Sequence, residues 1–326
     1  EGVAQVTALA STVSGTVLSI LSTTVNANTT YTFRIVTIDP ISSTGKIKIV
    51  IPSSITILTS SAACATLSGT GTTSTPTCSF NTSENSITLS ALNSSSSVIG
   101  AQTLTLSISG LKNPPSISPT TSFLISTYYK STDTSLVATG TIAGITATSA
   151  LLSNTQVSVT PSTLIVNDIS TTYSLEYKVS QPIPMGGYFT IFIPSDITID
   201  LSSLSSSCSI NLNSTSFIST PCNGSTVTGG ALINFTNPLA VDATLNTNIL
   251  VRVSSIFTNP SSTRPTSSFK LHTYHSNGFE IAYIDNAITI QMTTPANFNS
   301  LSISRASNKN YDLTTYTFTI NQKSIF

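Results

Sequence analysis

A long-period internal repeat limits the folds open to this chain more than any other feature of the sequence. Thr30-Tyr31-Thr32-Phe33 returns as Thr172-Tyr173-Ser174-Leu175 and again as Thr315-Tyr316-Thr317-Phe318, at spacings of 142 and 143 residues. Ile51-Pro52 returns as Ile193-Pro194. Cys64 and Cys78, with thirteen residues between them, return as Cys208 and Cys222 at the same interval. Asn113-Pro114 followed by Thr121-Ser122-Phe123 returns as Asn259-Pro260 followed by Ser267-Ser268-Phe269. Solenoid units are roughly 20 to 50 residues long, so a period of this size is a whole domain, and the chain reads as similar domains joined end to end. The offset sets the expected boundaries. Residues 1–10 read as the closing strand of a preceding repeat, 11–153 as one repeat, 154–295 as a second, and 296–326 as the opening strands of a truncated third.

Within a repeat the pattern is that of sheet. Thr103-Leu104-Thr105-Leu106-Ser107-Ile108 and Ser86-Ile87-Thr88-Leu89 alternate strictly, placing apolar side chains on one face of a strand and hydroxyls on the other. The expected strands of the first repeat are Val17 to Leu21, Thr30 to Ile38, Lys46 to Ile51, Ile55 to Leu58, Ile87 to Leu92, Leu104 to Ile108, Phe123 to Tyr129 and Leu136 to Ile145. Tyr31, Phe33 and Ile35 should point inward. The segment from Cys64 to Cys78, full of Gly, Ser and Thr, reads as a loop or wide hairpin pinned at its base. No helix of useful length appears. Short strands punctuated by Gly and Pro predict an all-β chain of tandem immunoglobulin-like antiparallel β-sandwich domains. The antibody hallmark is missing, since there is no Trp and the cysteines are too close in sequence to bridge sheets in that manner.

Charged residues make up 7% of the chain against roughly 25% in ordinary soluble domains, and Ser plus Thr fill about a third of it instead. Twelve basic and twelve acidic residues leave no electrostatic footprint for nucleic acid and no polybasic membrane patch. A disordered mucin-like stalk is the competing reading of such composition, and the alternating Ile, Val, Phe and Tyr oppose it. Two equally spaced cysteine pairs read better as two disulfides, Cys64 with Cys78 and Cys208 with Cys222, than as a metal site, and point to an oxidising, extracellular compartment. Sequons for N-glycosylation occur at Asn28, Asn81, Asn93, Asn213, Asn223 and Asn234. Asn81, Asn93, Asn213 and Asn223 fall in or beside expected loops, whereas Asn234 lies in a strand-like run. No run of 18 apolar residues is present.

The stretch Leu106-Ser107-Ile108-Ser109-Gly110-Leu111-Lys112-Asn113-Pro114, then Pro119 to Phe123, has its copy in Val253 to Pro260, then Pro265 to Phe269. These stretches resemble the repeated sandwich domains of giant secreted or surface proteins of protists. The resemblance covers the latter half of both complete copies. It implies extracellular tandem sandwiches with structural or adhesive roles, and it brings no catalytic residues.

Chemistry is sparse. His272 and His275 stand three apart on and just beyond an expected strand, which puts them on opposite faces, so ordinary exposed histidines are the stronger reading over a metal pair. Asp39, Asp133, Asp168, Asp196, Asp200, Asp242, Asp285 and Asp312 are too scattered to supply the six to eight oxygens calcium takes, with only Asp196 and Asp200 close in sequence. There is no Gly-x-Ser-x-Gly elbow and no phosphate loop, and Glu84, Glu176 and Glu280 are unmatched between copies. No enzyme, metal or cofactor is therefore expected. Tyr128, Tyr129, Tyr274 and Tyr283 are candidates for an exposed sugar-stacking platform.

The expectation is a structural subunit of an extracellular glycosylated filament or surface coat, assembled head-to-tail from copies of itself. The rival is a cell-surface adhesin binding glycans or another cell. The expected assembly residues are Val3, Val6 and Leu9 in the opening strand and Tyr316, Phe318 and Ile320 in the last, whose apolar faces find no cover within their own incomplete repeats.

Overall fold

The computed structural model describes residues 10–42, 44–65, 67–69, 72–92, 103–132, 134–213, 216–236, 238–295, 298–311 and 313–322. The chain divides into two compact units, Glu1–Ser149 and Ala150–Phe326. The described residues are almost all strand and turn, and the one helix among them is a 3₁₀ segment, Leu201–Ser206.

In the first unit the strands follow as β1 (Ser11–Ile20), β2 (Asn28–Thr37), β3 (Lys46–Val50), β4 (Thr56–Ile57), β5 (Ala63–Cys64), β6 (Leu67–Gly69), β7 (Thr72–Ser74), β8 (Thr77–Asn81), β9 (Ser86–Ser90), β10 (Thr103–Lys112), β11 (Phe123–Tyr128) and β12 (Leu136–Ile142). One sheet runs β1-β2-β10, with β4, β5 and β6 on the far edge of β10 and β7 beyond β6. The other runs β12-β11-β3-β9-β8. β1 belongs to both, because Ser11 and Thr12 pair parallel with Ala138 and Thr139 before Val13–Ile20 turn to pair antiparallel with β2. Only a glycine fits where it crosses: a Cβ on Gly140 would lie 1.6 Å from Val13 O. Alternation then fills the interior. Tyr31, Phe33, Ile35, Leu104, Leu106, Ile108, Phe123 and Ile125 are all fully buried, and the Phe33 and Phe123 rings meet edge-on at 5.3 Å.

The second unit contains β13 (Ala150–Leu151), β14 (Val157–Pro161), β15 (Thr171–Lys178), β16 (Tyr188–Pro194), β17 (Thr198–Ile199), β18 (Cys208–Leu212), β19 (Ile218–Ser219), β20 (Cys222–Val227), β21 (Gly230–Phe235), β22 (Asn248–Thr258), β23 (Phe269–Tyr274) and β24 (Glu280–Ile288). Its sheets run β13-β24-β23-β16-β21-β20 and β14-β15-β22-β18-β19, with β17 also on β22. Here the strand that serves both sheets is split: β13 pairs parallel with β24, and β14 antiparallel with β15. Tyr173, Leu175 and Tyr177 of β15 are buried. The same chain then forms a separate antiparallel ribbon of β25 (Phe298–Arg305) and β26 (Tyr316–Gln322).

The structure corrects several sequence expectations. β1 begins at Ser11 rather than Val17, because its first residues pair with β12 and need no alternating pattern. β10 runs on to Lys112 through a bulge between Ile108 and Leu111, where Gly110 takes φ +71°. Of the two readings of the Cys64 to Cys78 segment, the hairpin holds and the plain loop does not: β6 pairs antiparallel with β7 between the bonded cysteines, after the short β5. Its cysteines do bridge the two sheets, since β5 lies on β10 and β8 on β9. Fourteen residues suffice because the crossing is made at a sandwich edge.

Candidate functional site

The motif that carries the sequence resemblance turns out to be an internal clamp. The Tyr31 hydroxyl donates to Asn113 Oδ1 at 2.6 Å, and Asn113 Nδ2 donates to the carbonyls of Ser22 at 2.7 Å and Thr24 at 2.8 Å. The second unit repeats it: Tyr173 OH to Asn259 Oδ1 at 2.7 Å, and Asn259 Nδ2 to Thr163 O at 3.0 Å and Ile165 O at 2.9 Å. Backbone bonds complete both copies, Asn26 N to Pro114 O and Asn167 N to Pro260 O, each at 3.0 Å. Asn26 and Asn167 adopt φ 56° and 55°, a left-handed conformation that asparagine tolerates. The loop so held receives the end of its unit, through Thr148 N to Thr23 O at 2.8 Å in the first and Val166 N to Thr294 O at 2.9 Å in the second. Burial pushes the Tyr31 and Tyr173 phenols well above the ordinary tyrosine range.

Cys64 is bonded to Cys78 and Cys208 to Cys222, with Cα atoms 6.2 Å apart in both. The second bridge is buried and the first half-buried. Among the sequons, Asn28, Asn81, Asn213 and Asn223 are exposed and Asn234 is half-buried on β21. Asn93 lies outside the described residues, as do Val3, Val6 and Leu9.

The ribbon presents a contiguous exposed apolar face. Register pairs Leu301 with Ile320, Ile303 with Phe318 and Arg305 with Tyr316, so the large apolar side chains share one face and Ser302, Ser304, Thr317 and Thr319 the other. Those apolar groups are 54 to 63% exposed. The complete units use the same pairing: Val17 faces Phe33 and Val159 faces Leu175, as Ile303 faces Phe318. Tyr31 and Phe33 are fully buried, whereas their counterparts Tyr316 and Phe318 are more than half exposed.

A third surface was not legible from the sequence. On the outer face of β16, β23 and β24, His272 Nδ1 lies 2.6 Å from Glu280 Oε1 and its Nε2 lies 2.9 Å from Asp285 Oδ1. Lys270 Nζ stands 3.8 Å from the same Asp285 oxygen. His272 is therefore not an ordinary exposed histidine. Its ring also stacks with Tyr283 at 5.7 Å, and Tyr188 stacks on Tyr274 at 4.8 Å. Burial, with the nearby Glu280, Tyr188 and Asp285, pushes the Tyr274 phenol up against the opposing effect of its bond with Thr190. Of the four tyrosines named as a sugar platform, Tyr274 and Tyr283 each have a ring stacked against a cross-strand neighbour, whereas Tyr129 is 57% exposed. The first unit has Lys46 over the Tyr128 ring at 4.7 Å and Ser126 where His272 stands. The closing turn Ser276-Asn277-Gly278 was the available signal, because it brings Glu280 and Tyr283 back beside Tyr274 and His272.

The remaining acids serve locally. Asp39 accepts from Ser11 Oγ, Asp168 from Thr163 Oγ1, Asp196 from Ser267 N, and Asp242 from Met185 N. Asp200 caps the 3₁₀ segment, and bonds from Ser202 and Ser203 hold its carboxyl below the usual range. Asp133 and Asp312 lie outside the described residues. No group of three or more His, Cys, Asp or Glu suited to a metal occurs among the described residues, and no helix there is long and apolar enough to cross a membrane.

No family model and no curated protein matches the chain. Several solved structures are similar to it. One is the C-terminal domain of the Streptococcus agalactiae antigen I/II polypeptide BspA, 11% identical, covering 86% of this chain and 100% of that one at a TM-score of 0.30. Another is the C-terminal domain of the Streptococcus pyogenes antigen I/II-family protein AspA, 9% identical, covering 86% and 99% at a TM-score of 0.27. A third is the serine-rich repeat protein Srr2 of Streptococcus agalactiae, 13% identical, covering 86% and 92% at a TM-score of 0.24. At these scores no residue role is carried over.

Proposed function

We propose that this chain is part of an extracellular surface array, a glycosylated filament or coat built head-to-tail from β-sandwich units, with no catalytic role. One observation carries the reading: the exposed apolar face of the β25–β26 ribbon. At the equivalent register positions of the two complete units Tyr31, Phe33, Tyr173 and Leu175 are buried, with Val17 and Val159 half-buried opposite them, which supports reading the ribbon as an opening pair of strands that further strands would cover. Completing the burial of five large apolar groups already half covered would contribute roughly 1 kcal/mol each. Strands supplied by a following unit, covalent or not, are the proposed cover, and a contact that does not close on itself propagates. The disulfides, the hydroxyl-rich surface and the exposed sequons support an oxidising, secreted setting, and the resemblance to protist surface repeats belongs to the same reading.

Electron microscopy of the secreted native material is the test. Threads with a regular axial repeat, shortened by Phe318→Ser with Ile320→Ser, are expected. Isolated particles whose ribbon is folded against its own chain would defeat the assembly reading.

The rival, an adhesin for glycans or another cell, is favoured by the His272, Glu280 and Asp285 face, which the first unit lacks. A glycan array probed with the native chain and with His272→Ala would distinguish the two. Binding lost in the variant would favour the adhesin.

A further inference from the structure

We propose that a sugar chain on Asn213 docks back onto the protein, in a groove on the outer face of the second unit's β14-β15-β22 sheet. This rests on the glycoprotein reading above and assigns it a site. Asn213 follows β18, where its N–H donates to Asn248 O at 3.1 Å and its Oδ1 accepts from Asn248 N–H at 2.7 Å. Both contacts leave Nδ2, the atom that carries an N-linked sugar, free to point outward from an exposed residue. Asn248 is the register partner of Lys178, whose N–H donates to Gln156 O at 2.8 Å. Asn213, Asn248, Lys178 and Gln156 thus form one row across the sheet. From Asn213 to Lys178 is two strand spacings, about 10 Å, a span that a disaccharide covers.

Along that row lies an open groove of about 420 Å³, lined by Gln156, Ser158, Glu176, Lys178, Asn246 and Asn248 among others. The volume sits in the roughly 300–1,000 Å³ range of small-ligand clefts. Its chemistry suits a neutral polyol. Glu176 accepts, Lys178 donates, and the amides do both, so adjacent sugar hydroxyls can be met in either sense. The two charges oppose each other, which leaves no net attraction for an ion. Asn248 Nδ2 already donates to Glu176 Oε1 at 2.6 Å, so the wall is set before a sugar arrives. The corresponding register pair in the first unit is Thr103 with Val36, which offers neither the charge nor the amide.

The test uses the full chain secreted from a glycosylating eukaryotic host. Glycopeptide mass spectrometry reads occupancy at Asn213 and Asn223, and release of each sugar from the native protein by a peptide N-glycosidase is timed. A sugar docked nine-tenths of the time is open to the enzyme for one tenth, so release at Asn213 should be about tenfold slower than at Asn223, which is exposed on β20. Lys178→Ala and, independently, Glu176→Gln should each remove most of that difference while leaving the denaturation midpoint unchanged. Equal release at the two sites in the native chain, or slow release that persists in both variants, overturns the docking. Unmodified Asn213 with sugars at other sequons also overturns it and leaves the glycoprotein reading intact, whereas bare asparagine at every sequon overturns both.

Discussion

Removing the Asn113 side chain should unbalance the first unit more than its surface substitutions do. Asn113 is 2% exposed and makes three hydrogen bonds of 2.6 to 2.8 Å. In Asn113→Ala the Tyr31 hydroxyl, on a fully buried residue, loses its acceptor, which costs about 1–3 kcal/mol. The Ser22 and Thr24 carbonyls lie on half-exposed residues where water can reach them, so each adds about 0.5 kcal/mol. The sum is about 2–4 kcal/mol, a large share of the 5–15 kcal/mol that holds a typical domain. Tyr31→Phe leaves the two carbonyl bonds in place and should cost about 1–2 kcal/mol. Because both changes break the same contact, the double variant should fall short of the sum by about 1 kcal/mol. The assay is urea denaturation followed by amide exchange, read separately on β2 for the first unit and on β15 for the second. Asn113→Ala should lower protection only in β2, and Asn259→Ala only in β15. Losses under about 1 kcal/mol with additive effects would show the Tyr–Asn contact to be incidental.

Three other outcomes are expected. Native-state reduction should open the half-buried Cys64–Cys78 bridge before the buried Cys208–Cys222 bridge, and removing either should cost about 3 kcal/mol in the chain-entropy model for a loop of some 15 residues; simultaneous reduction, followed by mass spectrometry, would contradict this. Burial pushes the Tyr177 phenol up to about 12, so the unfolded chain releases that proton first; stability is complete below pH about 10 and declines as pH rises toward 12. Phenolate absorbance should therefore show buried tyrosines titrating only with loss of the β signal, and free titration of every tyrosine in an intact fold would refute it. Phe318→Asp should lower binding of a hydrophobic dye to the chain several-fold without moving the unfolding transition of either complete unit, and unchanged dye binding would show that the ribbon face is already covered.

Alternation made the inner strands readable. In β2 and β10 every second residue is buried, and each apolar position named from the sequence lies inside. What escaped was structure without a period. β1 begins with Ser11-Thr12, two polar residues whose strand character comes from pairing with β12, and β5 to β7 are two or three residues each, too short to show a period and with Leu67 as their one large apolar residue. Asn113-Pro114 was visible as a motif but not as a clamp, because its partner Tyr31 lies 82 residues away. His272 illustrates the same limit over a shorter distance. Its partners Glu280 and Asp285 are eight and thirteen residues on, and only the bulged register of β23 against β24 brings both to one ring.

The placement of the clamp bears on how a unit would carry tension. Ser11 and Thr12 enter the first unit parallel to Ala138 and Thr139, and Thr148 leaves it parallel to Thr24. Pulling the entering and leaving segments apart slides these parallel pairs along one another. Their hydrogen bonds are then loaded together, whereas an antiparallel hairpin pulled from its open end gives way one bond at a time. Thr148 can resist only if the Ser22–Ala27 loop it grips stays in place, and that loop is held by Asn113 from the side chain and by Asn26 N and Asn113 N from the backbone. The second unit shows the same chain of contacts through Thr294, the Thr163–Asn167 loop and Asn259. Forced unfolding follows the barrier to leaving the native state and not the equilibrium stability. On the proposed structural reading, a buried Tyr–Asn bond at the exit of each unit would protect a unit under tension more than its own free energy suggests, and both units hold that bond.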